Sequence, residues 1–179
     1  MTVIYAASHR FDPVFAENWQ GFLEWSGLNH LREVISLDGM LCPPFFQELI
    51  AEDWNHNVHA DFQTDFFVDL EYLVGRVGGD ERANILAICK DPTPIELVTF
   101  TDPRFEFRGF DLMGVEWSGI SALVNCGGFP QAFSATELSD FGLLTDYEMA
   151  VNVQQRLRAE YPDEHHAQCD VWAIWQFKR

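Results

Sequence analysis

The side chains best suited to covalent chemistry in this sequence are one cysteine and two histidines. Cys126 follows an apolar run and precedes the glycine pair 127–128. Two glycines allow a tight turn that exposes a sulfur atom to backbone N–H donors, and a thiol becomes a nucleophile when a base removes its proton. His165 and His166 are the candidate bases. The competing interpretation is that Cys126 is buried and that the glycines form an ordinary turn.

A second group of side chains has the character of metal ligands. His165 and His166 precede Cys169, while His56 and His59 have the H-x-x-H spacing. Zinc binds such mixtures of nitrogen and sulfur donors. A closed site needs four convergent ligands, and the competing interpretation leaves the histidines solvated and points Cys169 into the core. The sequence predicts no cofactor. The alternative is a zinc ion bound by these side chains.

Other catalytic signatures are absent from the sequence. It contains no G-x-S-x-G elbow, no phosphate-binding Walker loop, no H-E-x-x-H zinc motif and no G-x-G-x-x-G dinucleotide motif. Its 28 Asp and Glu residues are so numerous that any pair could be proposed as an acid and base couple. The sequence therefore gives an enzyme no specific support beyond the cysteine and the histidines.

Two tryptophans next to acidic residues indicate a binding surface. Trp54 follows Asp53, and Trp117 follows Glu116, in segments that are polar or glycine-rich. Indole rings framed by carboxylates are typical of interfaces that receive Arg or Lys, through cation–π contacts and charge-assisted hydrogen bonds. The competing interpretation is that both rings cover the edges of the core.

The charge of the chain restricts its partners. Lys and Arg number 11 against 28 Asp and Glu, which gives a formal net charge of -17. Such a surface repels nucleic acid and anionic lipid over roughly 8–10 Å. We therefore expect no nucleic acid or membrane partner, and a basic protein is favoured. The competing interpretation of the charge is solubility or adaptation to salt.

Cysteine usage and the N-terminus predict a cytoplasmic protein. The four cysteines are far apart and form no C-x-x-C pair, so neither a disulfide framework nor a zinc ribbon is indicated. The first residues lack the basic start of a signal peptide, and no run approaches the ~20 apolar residues that span a bilayer.

The pattern of apolar residues predicts a single α+β domain over residues 1–179, with a mixed or largely antiparallel sheet and about four or five helices. Strands are predicted over 2–6, 32–37, 83–89, 95–100, 105–112, 119–125 and 169–177. Helices are predicted between Pro13 and Gly27, over 43–50, over about 64–77, and after the capping sequences that begin at Ser134 and Thr145.

Three segments resemble a family of uncharacterised bacterial proteins. They are the stretch from Phe110 through 118–129, the ending 161–175, and Glu52-Asp53-Trp54-Asn55-His56. The resemblance implies a bacterial, single-domain, cytoplasmic protein and transfers no catalytic residue. In general character, small and very acidic with many aromatic residues, the chain is also similar to immunity proteins that neutralise basic toxins.

Two functions of different classes follow from these observations. The favoured one is a non-enzymatic, immunity-like binding module whose acidic, aromatic surface docks a basic partner. The alternative is a Cys/His enzyme or metal-binding protein that uses Cys126, His165 and His166.

Overall fold

The structure is a computed structural model that describes residues 3–58, 66–114, 119–124 and 132–178. Six strands form one antiparallel, curled sheet in the order β2-β1-β3-β6-β4-β5. The predicted α+β class is confirmed. The strands are β1 (Ile4–His9), β2 (Phe66–Phe67), β3 (Ala83–Lys90), β4 (Phe105–Gly114), β5 (Ile120–Ser121) and β6 (Asp170–Phe177). The α-helices of the described ranges are α1 (Trp19–Ser26), α2 (Asp53–His56), α3 (Leu70–Val77), α4 (Pro94–Thr99) and α5 (Tyr147–Glu160).

The centre of the sheet is apolar on both faces. Every residue of β3 is buried except Lys90, as expected for an interior strand. On β6, Val171, Ala173 and Trp175 belong to one buried cluster. Trp172 and Ile174 belong to a second cluster on the opposite face. This division follows from the two-residue period of a strand.

Helices cover the first face of the sheet. The buried stripes of α1, α3 and α5 all join its cluster. Gly27 ends α1 in the left-handed conformation with φ 72°, which glycine adopts without a steric penalty. Asp146 begins α5 by accepting a hydrogen bond from the Met149 backbone N–H. None of these helices combines the length and apolar character that crossing a membrane requires.

Irregular chain covers the second face. Ile35 and Leu37 pack there together with Leu143. The prediction of a strand over 32–37 is therefore wrong. This segment makes isolated backbone hydrogen bonds, such as Val34 N–H to the Phe11 carbonyl (2.9 Å) and Ile35 N–H to the Phe141 carbonyl (3.1 Å).

Other predicted elements differ in the structure as well, and the strand predicted over 119–125 is limited to β5 (Ile120–Ser121) within the described residues. The strand predicted over 95–100 is the helix α4, because Thr93 and Glu96 form a reciprocal capping box. No helix forms over 43–50, and the short helix α2 lies outside all of the predicted strands and helices. The helix predicted over 64–77 begins only at Leu70, where Asp69 caps its N-terminus.

Gly119 allows two backbones to approach closely. An added Cβ at this position would lie 1.9 Å from the Leu37 carbonyl oxygen, which is far inside van der Waals contact. The space next to Gly21 on α1 is open, with no atom within 4 Å of an added Cβ. The two glycines are therefore suitable for a pair of alanine substitutions in which only the one at residue 119 meets a steric clash.

We expect Gly119→Ala to lower the free energy of unfolding by at least about 2 kcal/mol, because backbone has to move to admit the methyl group. Gly21→Ala should raise it by about 0.5–1 kcal/mol, since alanine is the better helix former. Urea unfolding followed by circular dichroism measures both changes. Equal effects of the two substitutions would show that residues 37 and 119 do not pack as described.

Candidate functional site

Trp54 lies on a short helix that is anchored by a buried carboxylate. Asp53 is 0% exposed. Its carboxylate accepts hydrogen bonds from the Tyr72 hydroxyl (2.6 Å), Arg76 Nε (3.1 Å) and the Ile50 backbone N–H (2.7 Å). The carboxylate thus ties α2 to α3 and to the chain before it.

Hydrogen bonding decides the ionisation of this anchor. Burial disfavours the charged form of Asp53, but the bonds from Tyr72 and Arg76 prevail and lower the pKa of Asp53 below its ordinary value. The same hydrogen bond to Asp53 raises the pKa of Tyr72 to about 12. Asp53 therefore stays ionised, and its charge is paired internally with Arg76 (3.1 Å).

The anchored helix presents Trp54 to solvent, with 54% of the residue exposed. Ile50 and Val68 are exposed as well. The Val68 N–H donates to the His56 carbonyl (2.9 Å), which places Val68 at the end of α2. Exposed acidic side chains occur in the same segment. We call this exposed group the Trp54 face; it consists of Val68, which is joined to α2 by that hydrogen bond, and of four exposed residues close together in the chain, Glu48, Ile50, Glu52 and Trp54.

The predicted metal ligands lie in separate environments. The His56 ring stacks on Tyr72 with 3.9 Å between centroids, and its Nδ1 lies 3.3 Å from Asp69. His165 and His166 occupy a 3-10 turn before β6, with their ring centroids 6.1 Å apart.

Cys169 follows this turn and is fully buried. Its Sγ lies 3.7 Å from the Ala167 carbonyl oxygen, and burial raises the pKa of the thiol to about 12. Among the side chains that the structure describes, no three His, Cys, Asp or Glu residues converge to hold a metal ion.

Four predicted site residues, His59, Glu116, Trp117 and Cys126, fall outside the described ranges. Their proposed roles in metal binding, docking and nucleophilic catalysis stay predictions.

A buried acidic cluster was not predicted from the sequence. Asp111 of β4 accepts hydrogen bonds from Ser36 Oγ (2.5 Å), Ser121 Oγ (2.6 Å) and the Leu112 N–H (2.8 Å). Asp38 lies close by and accepts from the Ser121 N–H (2.9 Å). Both aspartates are 0% exposed. The cluster joins β4, β5 and the irregular cover of the second face.

Burial raises the pKa of Asp111 to about 6. The negative charge of Asp38 contributes to this rise, while hydrogen bonds from Ser121 and Ser36 oppose it. Because the sequence places Asp111 in an alternating strand and Asp38 in a turn, only the periodicity of β4 could have indicated that one of them faces inward.

An open cleft of ≈ 550 Å³ lies where α4, β4 and the start of α5 meet over β6. Its floor is aromatic and its rim carries two carboxylates. We call it the aromatic cleft; its aromatic residues are Phe100, Phe105, Phe107, Phe110, Tyr147 and Trp175, and its acidic residues are Asp102 and Asp146. The sequence shows the aromatic spacing on β4 but places Phe100 on a strand, so this convergence was missed.

No protein-family model, curated protein or solved structure matches the chain. The resemblance to bacterial proteins and to immunity proteins stays a prediction, and the function has to be argued from the surfaces described above.

We expect Asp53→Ala to lower the free energy of unfolding by about 3 kcal/mol at pH 7, because it leaves Arg76 without its buried partner. Tyr72→Phe removes one hydrogen bond to a charged group and should cost about 1.5 kcal/mol. Urea unfolding measures both. The control is Glu52→Ala, which removes an exposed neighbouring carboxylate and should change stability by less than about 0.5 kcal/mol. An equal loss at residues 52 and 53 would contradict the anchoring role.

The raised pKa of Asp111 predicts a pH-dependent stability. Between its ordinary value of 3.8 and about 6, the folded state keeps a proton that the unfolded state has released. The free energy of unfolding therefore gains a contribution as the pH falls through about 6.

We expect this contribution, on the order of 2–3 kcal/mol between pH 7.5 and pH 4, to disappear in Asp111→Asn. It is measured as the difference between urea unfolding curves of the two proteins across that range, which removes effects common to both. Parallel pH profiles would show that Asp111 titrates normally.

Proposed function

We propose that this protein is a non-enzymatic binding module that docks a basic protein, with an immunity-like antitoxin as the most concrete form. The observation that carries the proposal is the Trp54 face, where an exposed tryptophan occurs in the same segment as exposed apolar and acidic residues. Tryptophan contributes strongly to binding when a partner excludes water from it. Carboxylates beside the ring favour arginine and lysine on that partner.

The distribution of ion pairs supports a cationic partner. Most positive side chains of the described ranges already lie within salt-bridge distance of a carboxylate: Arg10, Arg32, Arg76, Arg82, Lys90, Arg104, Arg108 and Arg158. Many exposed acids in the same ranges have no such partner: Glu17, Glu48, Glu52, Glu81, Glu148, Glu160, Asp163 and Glu164. The excess negative charge is thus available to attract a basic protein and to speed its association.

The anchoring of α2 also favours binding. Asp53 holds the helix through Tyr72 and Arg76, and the Arg76 guanidinium in turn lies 4.4 Å from the centroid of the Phe46 ring. Trp54 is therefore presented on a backbone that is already ordered. Preorganisation of this kind reduces the entropy lost on association.

The proposal is tested by comparing the proteins that the wild type and two tryptophan variants capture from a lysate. Wild-type protein, Trp54→Ala and Trp25→Ala are immobilised in parallel and exposed to a lysate of the host. Trp25 on α1 is exposed to a similar extent, 60% against 54%, so its substitution controls for loss of an exposed indole. Proteins whose recovery falls only with Trp54→Ala are identified, purified and measured by calorimetry and stopped-flow kinetics.

We expect a basic partner whose dissociation constant rises at least about 30-fold with Trp54→Ala and is unchanged with Trp25→Ala. Its association rate should decrease as salt increases. Equal effects of the two substitutions on every captured protein, or a selective partner that is acidic, would refute the proposal.

A further inference from the structure

The aromatic cleft has a floor of mutually packed rings. Trp175 of β6 lies 4.9 Å from Phe100 and 5.3 Å from Phe107, measured between ring centroids. Phe107 also packs on Phe110 (5.2 Å), which contacts Tyr147 at the start of α5 (5.7 Å). Phe107 is nevertheless 41% exposed. An aromatic side chain thus remains open to solvent on a rigid aromatic base.

The cleft carries two carboxylates, of which Asp102 is paired with Arg104 and Asp146 forms no salt bridge within the described ranges. Asp102 accepts hydrogen bonds from Arg104, which lower the pKa of this carboxyl. Asp146 uses Oδ1 to cap α5 through the Met149 N–H (2.9 Å) and is exposed at the rim. None of the described residues that line the cleft is Lys, Arg or His, although Arg104 pairs with Asp102 (2.7 Å) and Lys178 Nζ donates to the Pro103 carbonyl (2.8 Å). The unpaired carboxylate of Asp146 and the aromatic rings therefore favour a cation over an anion or a neutral aromatic ligand.

The protein itself shows which cation fits this chemistry. The Arg76 guanidinium lies 4.4 Å from the Phe46 centroid and pairs with Asp53. Arg108 lies at the same distance, 4.4 Å, from the Phe141 centroid, and Arg108 also pairs with Glu106. Each guanidinium is thus held by a phenyl ring and a carboxylate.

The aromatic cleft offers this same pair of groups to an external ligand. We propose that it binds the guanidinium of an arginine side chain presented by a polypeptide. Guanidinium is planar and weakly hydrated, so it stacks on aromatic rings while hydrogen-bonding a carboxylate more readily than an ammonium group does. The volume of ≈ 550 Å³ is that of a site for a ligand larger than one guanidinium, which favours a whole residue with its flanking backbone. This site is separate from the Trp54 face and does not depend on the function proposed for it.

The test uses three capped tripeptides with the sequence Gly-X-Gly, in which X is arginine, lysine or the neutral isostere citrulline. Binding is followed at pH 7 by NMR, through the indole N–H resonance of Trp175. Phe107→Ala removes the exposed ring. Asp146→Ser removes the rim charge but keeps a good helix cap, so α5 is preserved. Trp54→Ala serves as the control with an intact cleft.

We expect saturable shifts of the Trp175 resonance with the arginine peptide, and binding at least about threefold weaker with lysine and about tenfold weaker with citrulline. Phe107→Ala and Asp146→Ser should each weaken arginine binding by about 3–30-fold, whereas Trp54→Ala should leave it unchanged.

Three outcomes would overturn the inference: no saturable shift, equal binding of the arginine and citrulline peptides, or equal binding of the arginine and lysine peptides. None of them bears on the Trp54 face, because capture of a basic partner there is judged by comparing Trp54→Ala with Trp25→Ala, and neither substitution alters a residue of the cleft.

Discussion

The sheet is apolar on both faces, and this constraint shapes the rest of the structure. Helices cover the first face and satisfy their own backbone groups. The second face is covered by irregular chain around Ile35, Leu37 and Leu143, whose buried N–H groups need acceptors from elsewhere. The carboxylate of Asp38 is such an acceptor. It accepts hydrogen bonds from the backbone N–H groups of Met40 and Leu41, and from that of Ser121 on β5. The buried carboxylate of Asp38 thus supports the irregular chain that covers the second face.

Two groups of acidic residues have different roles. Members of the first are buried and serve as acceptors, such as Asp53, Asp111 and Glu33, which accepts from Arg10 and Asn84. Members of the second, such as Glu48 and Glu52, are exposed and form no salt bridge within the described ranges. Since most Arg and Lys side chains of the described ranges form salt bridges within the protein, the exposed acids determine the electrostatic character of the surface. The same composition can thus serve both stability and recognition.

The Trp54 face and the aromatic cleft share a structural link. Asp53 is bound by Tyr72 and Arg76 of α3. The neighbouring Glu71 of α3 forms a salt bridge with Arg104, which also pairs with Asp102 at the rim of the cleft. One helix therefore supports both surfaces, and a polypeptide bound at one would lie near an element that positions the other.

Local patterns determined the elements that depend on near neighbours. The apolar run of β3, the strand β6 and the end of α1 at Gly27 were predictable, because period and capping act within a few residues. Tertiary structure alone decided which acids face inward and where aromatic rings converge. Asp53 is buried only because α3 supplies its donors, and Phe100 reaches Trp175 only because α4 folds over the sheet. These contacts join residues far apart in the chain, so no local pattern encodes them.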